Sequence, residues 1–397
     1  MAADPAREAP ALRIPPPAFL GDPGLCAVLA ALPGGRVVGG AVRDALAGRE
    51  STDIDLATPM PPEEVMRRLR EAGLKAVPTG IDHGTVTAVA GHCGFEITTL
   101  RRDVETDGRH AVVDYTDDWR ADAARRDFTI NALSMAQDCM VYDYFGGIDD
   151  LRAGVVRFVG DAATRIAEDY LRILRFFRFQ ARYGSGVPDA AAVAAIRAGL
   201  PGMARLSAER VWSELKRILA APDPVAAVAL MRETGVLAAV LPEGAAPERL
   251  ALLVAAGAPP DPLLRLAALL AGDPAALAAR LRLSAVERER LLALRGGDVP
   301  ADDADEATLR RALAGTPTEI LIGRTWLAGR AAALRARLAA LPRPVFPLRG
   351  RDVQEAGVAP GPLVGLLLEQ VRGWWMAGGC RADADACRAE LARLLAG

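Results

Sequence analysis

Gly39-Gly40-Ala41-Val42-Arg43-Asp44 and, after Gly48, Asp53-Ile54-Asp55-Leu56 belong together in this chain. The glycine pair closes the short apolar run Arg36 to Val38, which reads as a strand, and Ala41 to Ala47 reads as a short helix. Glycines at that turn let the backbone approach a phosphate, and the helix that follows points its first amides the same way. Ile54 to Leu56 reads as the next strand. Alternation along it puts Asp53 and Asp55 on one face and turns Ile54 and Leu56 into a core. Two hard carboxylates side by side suit Mg²⁺. A pair of such ions ~3.5–4 Å apart flanks an in-line phosphoryl displacement. An Asp-x-Asp alone is commonly a solvated turn, and a Gly-Gly alone an ordinary strand-to-helix turn. Their conjunction points to a triphosphate cleaved with two metals.

Outward from this stretch, residues 36 to 159 alternate strand-like and helix-like runs. Pro61 to Ala72 is expected to be a helix, with proline at its start and Gly73 at its end. Thr85 to Ala90 and Phe95 to Leu100 read as paired strands, and Val141 to Tyr144 and Val155 to Val159 as later ones. After Asp161 the β pattern stops. The remainder is rich in Ala, Leu and Arg, with helical periodicity broken at Gly184 to Pro188, Gly257 to Pro262 and Leu341 to Pro347. The fold class is therefore α+β: a mixed sheet with helices, then an all-helical remainder.

A length of 397 residues implies more than one core. The apolar runs, such as Leu250 to Ala256, fall far short of the ~20 residues of a membrane span. Asp4, Glu8 and the prolines 15 to 17 occupy the place of a signal peptide's apolar region, so a cytosolic protein is expected. Five scattered cysteines, none in a CxxC pair, indicate neither a disulfide framework nor a zinc site. The three histidines (His83, His92, His110) all lie in the first third, which excludes a His-Asp metal-hydrolase site further on. A net charge of −2 is not that of an indiscriminate nucleic-acid binder.

Glu96, between Phe95 and Ile97, is either a third acid on the strand beside the aspartates or a solvent-facing residue. Arg125-Arg126-Asp127, at a turn expected to lead into a helix, suits a triphosphate grip oriented by its own aspartate. It continues as Phe128-Thr129-Ile130-Asn131-Ala132-Leu133. In this order, GGAVRD, DIDLAT and RRDFTINAL resemble the bacterial (class II) tRNA nucleotidyltransferase/poly(A) polymerase family, part of the polymerase-β-like nucleotidyltransferases. Glu168-Asp169-Tyr170-Leu171-Arg172 resembles that family's EDxxR motif, which selects the incoming nucleotide without a template.

The residues of that motif support the same chemistry independently. Asp169 and Arg172 at i, i+3 are expected on one helix face, one accepting and one donating hydrogen bonds. Cytosine and adenine both offer an amino donor beside a ring-nitrogen acceptor, whereas uracil and guanine present the reverse. A mismatched base would leave buried polar groups unpaired, at ~1–3 kcal/mol each. Arg175, Arg178 and Arg182 continue the stripe, with Ile173, Leu174, Phe177 and Ala181 behind it. A solvated basic face, or a plain Asp169–Arg172 ion pair, is the alternative.

The resemblance spans about residues 34 to 378, specific in the first ~180 residues and diffuse afterwards. It implies an N-terminal extension (1–33), a nucleotidyltransferase head (34–160), a base-recognition neck (161–220), a helical body (221–340) and a tRNA-binding tail (341–397). It also implies two Mg²⁺ ions on Asp53 and Asp55, with Glu96 as a candidate third acid. Gly39, Gly40, Arg43, Arg126, Asp127 and Asn131 would hold the triphosphate, with Arg126 also catalytic. Asp169, Arg172, Arg175 and Arg178 would line the nucleotide. The substrates would be CTP, ATP and tRNA, and the reaction addition of C, C and A. A CC-adding, A-adding or poly(A)-forming enzyme is the alternative.

Two family variants depart from this sequence. With its three histidines all in the first third, the sequence is expected to lack the C-terminal histidine-aspartate phosphohydrolase of some relatives, and the Gly-Arg-Arg-Phe element of bacterial poly(A) polymerases is not found in it. Arg101 to Arg120, with Asp107-Gly108-Arg109-His110, resembles instead the flexible loop for adding the final A. Ser207 is a plausible helix N-cap with Glu209 in the first turn, and Gly235-Val236-Leu237 with Leu241-Pro242-Glu243 reads as structural. Seven arginines and no acid between residues 321 and 351 suggest a phosphate track for RNA. Trp374 and Trp375 belong either to a core or to that RNA surface.

Overall fold

A computed structural model describes residues 9–51, 53–81, 84–91, 93–106 and 111–396. The chain divides into two compact units, Met1–Val240 and Leu241–Gly397. The strands of the first are β1 (Leu12–Arg13), β2 (Arg36–Val38), β3 (Asp55–Thr58), β4 (Lys75–Gly80), β5 (Thr85–Ala90), β6 (Cys93–Thr99), β7 (Arg101–Thr106), β8 (Ala111–Tyr115), β9 (Leu133–Met135) and β10 (Met140–Asp143). Eight of them form one mixed sheet in the order β1-β10-β9-β2-β3-β6-β5-β4, and β7 with β8 makes a separate ribbon. The β3–β6 pair is parallel, with Asp55 opposite Glu96.

Helices α1 (Pro23–Ala31), α2 (Gly40–Leu46) and α3 (Pro62–Glu71) pack with the sheet. Asp22 caps α1 by accepting from the Gly24 and Leu25 amides, with Pro23 at the first position. α3 also starts on proline. It has Glu63 and Glu64 in its first turn and Arg68 and Arg70 in its last, matching the helix dipole. Leu25, Val28, Val37, Leu56, Val65, Leu69, Val86 and Ile97 share the resulting core. Val38 and Ala57, pointing the other way by strand alternation, pack with Leu100 and with Trp119 of α4 (Trp119–Ala124).

Two sequence expectations are corrected here. Val155 to Val159 is not a strand of the sheet. It runs extended, donating from the Val159 amide to the Asp127 carbonyl and accepting from the Thr129 amide at Arg157. Its ladder stops there because residues 129–131 turn into a 3-10 helix, and Phe158 is drawn into a ring cluster with Phe128 (4.8 Å) and Phe176 (6.1 Å). The segment Arg101 to Arg120 is not wholly a loop either: β7, β8 and the start of α4 occupy it. Asp107 to His110 lie outside the described residues.

Beyond α5 (Gly147–Ala153), the first unit is helical: α6 (Ala162–Glu168), α7 (Leu171–Tyr183), α8 (Ala190–Gly199), α9 (Ala208–Leu219), α10 (Val225–Glu233) and α11 (Val236–Val240). Asp169 is not on the same helix as Arg172. It ends α6 in extended backbone (φ −154°, ψ 106°) and accepts from the Leu171 amide at 3.0 Å, so it starts α7 instead of riding on it. Ser207 occupies the N-cap position of α9 but makes no capping bond through its side chain.

The second unit is helical, from Pro247–Ala255 to Ala384–Ala396, with two apolar clusters, one around Leu309, Leu321 and Leu338 and one around Val353, Val371 and Trp375. Trp375 is core: its indole donates to the Ala382 carbonyl (3.1 Å), while Trp374 is exposed. No helix among the described residues is long and apolar enough to cross a membrane.

Candidate active site

A cavity of about 920 Å³ in the first unit gathers residues from four separated parts of the sequence: Gly39, Gly40 and Arg43; Asp53 and Asp55; Arg126, Asp127 and Asn131; and Asp169, Arg172, Arg175 and Arg178. All of the nucleotide- and metal-binding candidates except Glu96 therefore line one space.

Gly39 leaves β2 with φ +68°, a conformation that disfavours any side chain. A Cβ there would stand 2.9 Å from Arg126 Nη1. The absent side chain thus lets a guanidinium lie against the turn. α2 begins at the next residue, and the first amides of a helix have no partner within it. Asp53 and Asp55 are exposed on the cavity side, and Ile54 and Leu56 are buried behind them. Although the residue is exposed, partial desolvation of its carboxyl against the cavity wall, then the charges of Asp53 and Glu96, push Asp55 above its ordinary range, while Arg126 pulls it down. Mutually repelling carboxylates of this kind favour a bound cation. Among the described residues no group of three or more His, Cys, Asp or Glu side chains is arranged to hold a metal. Glu96 stands beside Asp55 in register and raises its pKa. A Mg²⁺ held by two carboxylates fills its remaining positions with water and phosphate oxygens, as this ion commonly does.

The arginines are arranged differently from the sequence expectation. Arg125 and Arg126 are not oriented by Asp127. Both pair with Asp122 of α4, Arg125 at 2.7 Å and Arg126 at 3.3 Å, and the buried Asp122 also accepts from the Arg101 amide at the base of the β7–β8 ribbon. Sequence reasoning missed Asp122, although its spacing of three and four before the two arginines on a helix was a usable signal. Asp127 instead accepts from Arg175 Nε (2.6 Å), Asn131 Nδ2 (2.9 Å) and its neighbour's amide (2.9 Å). Burial works against its charge, but Arg175 and these donors more than offset it and hold the carboxyl below its usual range. Arg43 is buried, donating to Asn131 Oδ1 (2.5 Å) and to Asp44. It reaches the cavity wall as an internal strut more than as an open phosphate ligand.

Asp169 and Arg172 line the cavity but do not pair with each other. Asp169 accepts from Arg210 of α9 (2.6 Å). Arg172 donates to Glu168 and to the Arg165 carbonyl. Arg178 bonds Glu214 of α9 (3.0 Å), and burial, then the nearby Arg175, pulls its pKa down to about 10. The stripe on α7 is thus not a solvated basic face: Arg172, Arg175 and Arg178 each have a carboxylate partner. Arg210 and Glu214 were missed because their partners lie some forty residues away.

The family described as the poly(A) polymerase head domain matches residues 35–157, and one described as a probable RNA- and SrmB-binding site of polymerase A matches residues 188–246. The mouse mitochondrial CCA tRNA nucleotidyltransferase 1 is 36% identical over 377 residues, covering 88% of this chain and 84% of that one. A CCA-adding enzyme of Leuconostoc mesenteroides is 41% identical over 184 residues, 46% of this chain and 45% of that one. The crystal structure of the Bacillus stearothermophilus CCA-adding enzyme in complex with CTP superposes with a TM-score of 0.77 at 28% identity, over 94% of this chain and 98% of that one. With the glycine turn, the paired aspartates and Asp169–Arg172 in one cavity, this chain belongs to the tRNA nucleotidyltransferase/poly(A) polymerase family of nucleotidyl-transferring enzymes.

Proposed function

We propose that the protein adds C, C and A, one nucleotide at a time and without a template, to the 3′ end of tRNA from CTP and ATP, releasing pyrophosphate. The observation that carries this reading is the convergence of Asp53–Asp55 and Asp169–Arg172 on one cavity. Transfer chemistry and a C/A-matching hydrogen-bond pair face the same bound nucleotide. Relatives named for CCA addition support the choice of acceptor.

Asp53 and Asp55 would hold two Mg²⁺ ions, which lower the pKa of the attacking 3′-hydroxyl and neutralise the leaving pyrophosphate. Arg126, steadied by Asp122, lies between the glycine turn and Asp55, where it meets the triphosphate. Asp169, held by Arg210, accepts from the exocyclic amino group of C or A. Arg172, held by Glu168, donates to the ring nitrogen. These orienting pairs keep the reading groups from turning to suit U or G.

The head (34–160), neck (161–220), body (221–340) and tail (341–397) division accompanies this reading, with tRNA held by the helical parts. A cytosolic location stands beside the mitochondrial one named for the mouse relative, and a fluorescent fusion separates them. The deciding assay supplies purified protein, Mg²⁺, each nucleoside triphosphate singly and mixed, and tRNA ending before C, after C or after CC. Extension that halts at CCA is expected. Open-ended A tails, or arrest after CC, would assign a poly(A) or a partial enzyme instead.

A further inference from the structure

Six side chains link the glycine turn to the base-reading helix in a closed ring. Arg175 of α7 donates to Asp127, Asn131 donates to Asp127, and Arg43 of α2 donates to Asn131. Arg43 also donates to Asp44 (3.1 and 3.2 Å), and Tyr183 Oη, back on α7, donates to Asp44 Oδ1 (2.5 Å). The ring leaves α7 at Arg175 and returns at Tyr183, eight residues on, or ~12 Å along the helix. The Arg43 guanidinium, a link of the ring, also lies 4.4 Å from the Tyr183 ring centre and 5.1 Å from that of Phe179. Arg43, Asp44, Asp127 and Asn131 are all at least nine-tenths buried. Two attachments two turns apart fix both the position of a helix and its rotation. The Arg43 amide bonds the Gly39 carbonyl, so the ring sits one helical turn from the triphosphate turn.

We infer that Tyr183 and Asp44 are positioning residues for nucleotide choice: their bond locks the rotation of the base-reading helix relative to the triphosphate turn. The inference rests on the proposed function. Asp169 and Arg172 lie at the start of α7 and discriminate between bases only if they meet a base whose phosphates are fixed elsewhere. Without that bond, the side-chain ties left between α7 and the residues around the glycine turn are Arg175 to Asp127 at one end and Arg49 to the Arg182 carbonyl at the other, and a small rotation of α7 would let the two groups shift to accept a mismatched edge. Burial raises the pKa of Tyr183, so it remains a protonated donor across the working range.

The test substitutes Tyr183→Phe, which keeps the ring against Arg43 and removes only the hydroxyl, and Asp44→Asn, which retains an acceptor for that hydroxyl. Incorporation of CTP, ATP, UTP and GTP is measured on the intact protein well below its melting temperature. Tyr183→Phe is expected to lose roughly three- to tenfold of the C-and-A over U-and-G preference, the scale of one ordinary hydrogen bond. Asp44→Asn should lose less. A Tyr183→Phe enzyme with wild-type preference overturns the inference, even if its melting temperature drops. A second readout needs no activity: amide hydrogen exchange of α2 and α7 without nucleotide, expected to be faster in Tyr183→Phe. If the wild-type protein adds neither C nor A, the proposed function fails. Exchange then decides the tie alone, and unchanged rates in α7 reject it.

Discussion

At Asp55 the folded structure works against its own stability. Partial desolvation and the neighbouring Asp53 and Glu96 raise its pKa above the unfolded value. A carboxyl raised in this way contributes stability below its unfolded pKa and loses it as pH rises through the folded one. At neutral pH the ionised Asp55 therefore opposes folding of the metal-free protein. Asp55→Asn should raise the melting temperature in chelator while lowering nucleotide incorporation about a hundred- to a thousandfold, the scale of losing a transition-state electrostatic group. tRNA binding should be nearly intact. Thermal melts and single-turnover assays on one preparation check both signs. Wild-type turnover in Asp55→Asn would remove the two-metal assignment.

The strand–turn–helix of β2 and α2 matters as an element because the backbone of its glycine turn faces the cavity. Gly39 sits at φ +68° with Arg126 Nη1 in the space a Cβ would take. Gly39→Ala is expected to cost ~1–3 kcal/mol of stability from the strained backbone alone. It should also raise KM for both CTP and ATP, because Arg126 must move. Equal effects on both triphosphates distinguish this from damage to α7, which would alter the ratio between bases. Steady-state kinetics with each nucleotide decide it.

Over the whole molecule, net charge is −2, and several arginines are committed to partners within the fold. In the expected basic track between residues 321 and 351, several arginines also have partners within the fold. Arg324, Arg335, Arg337 and Arg343 donate to backbone carbonyls, Arg337 to those of Asp302 and Ala304. Arg349 and Arg351 are exposed. Arg337→Ala should therefore cost about 1–2 kcal/mol of stability through lost hydrogen bonding, seen as a lower melting temperature, and leave tRNA affinity unchanged. Arg349→Ala and Arg351→Ala should weaken tRNA binding and reduce its salt slope by about one each. Binding titrations at several salt concentrations, beside thermal melts, separate the two groups.

The sequence alone determined which segments would be strands and helices around the site, because alternation and capping are local: β2, α2, β3, α3 and the β5–β6 pair all follow from it. It also singled out Asp53, Asp55, Asp169 and Arg172, which the fold brings to one cavity, since the chemistry proposed for a metal pair or a base edge restricts residue types so narrowly. It misassigned partners. Asp127 looked like the orienter of Arg126 and Asp169 like the partner of Arg172, because adjacency is all a sequence displays. The tertiary structure gave Arg126 to Asp122, Asp127 to Arg175 and Asp169 to Arg210. A guanidinium in a low-dielectric cavity pairs with whichever carboxylate the packing brings within about 3 Å, and that choice belongs to the fold.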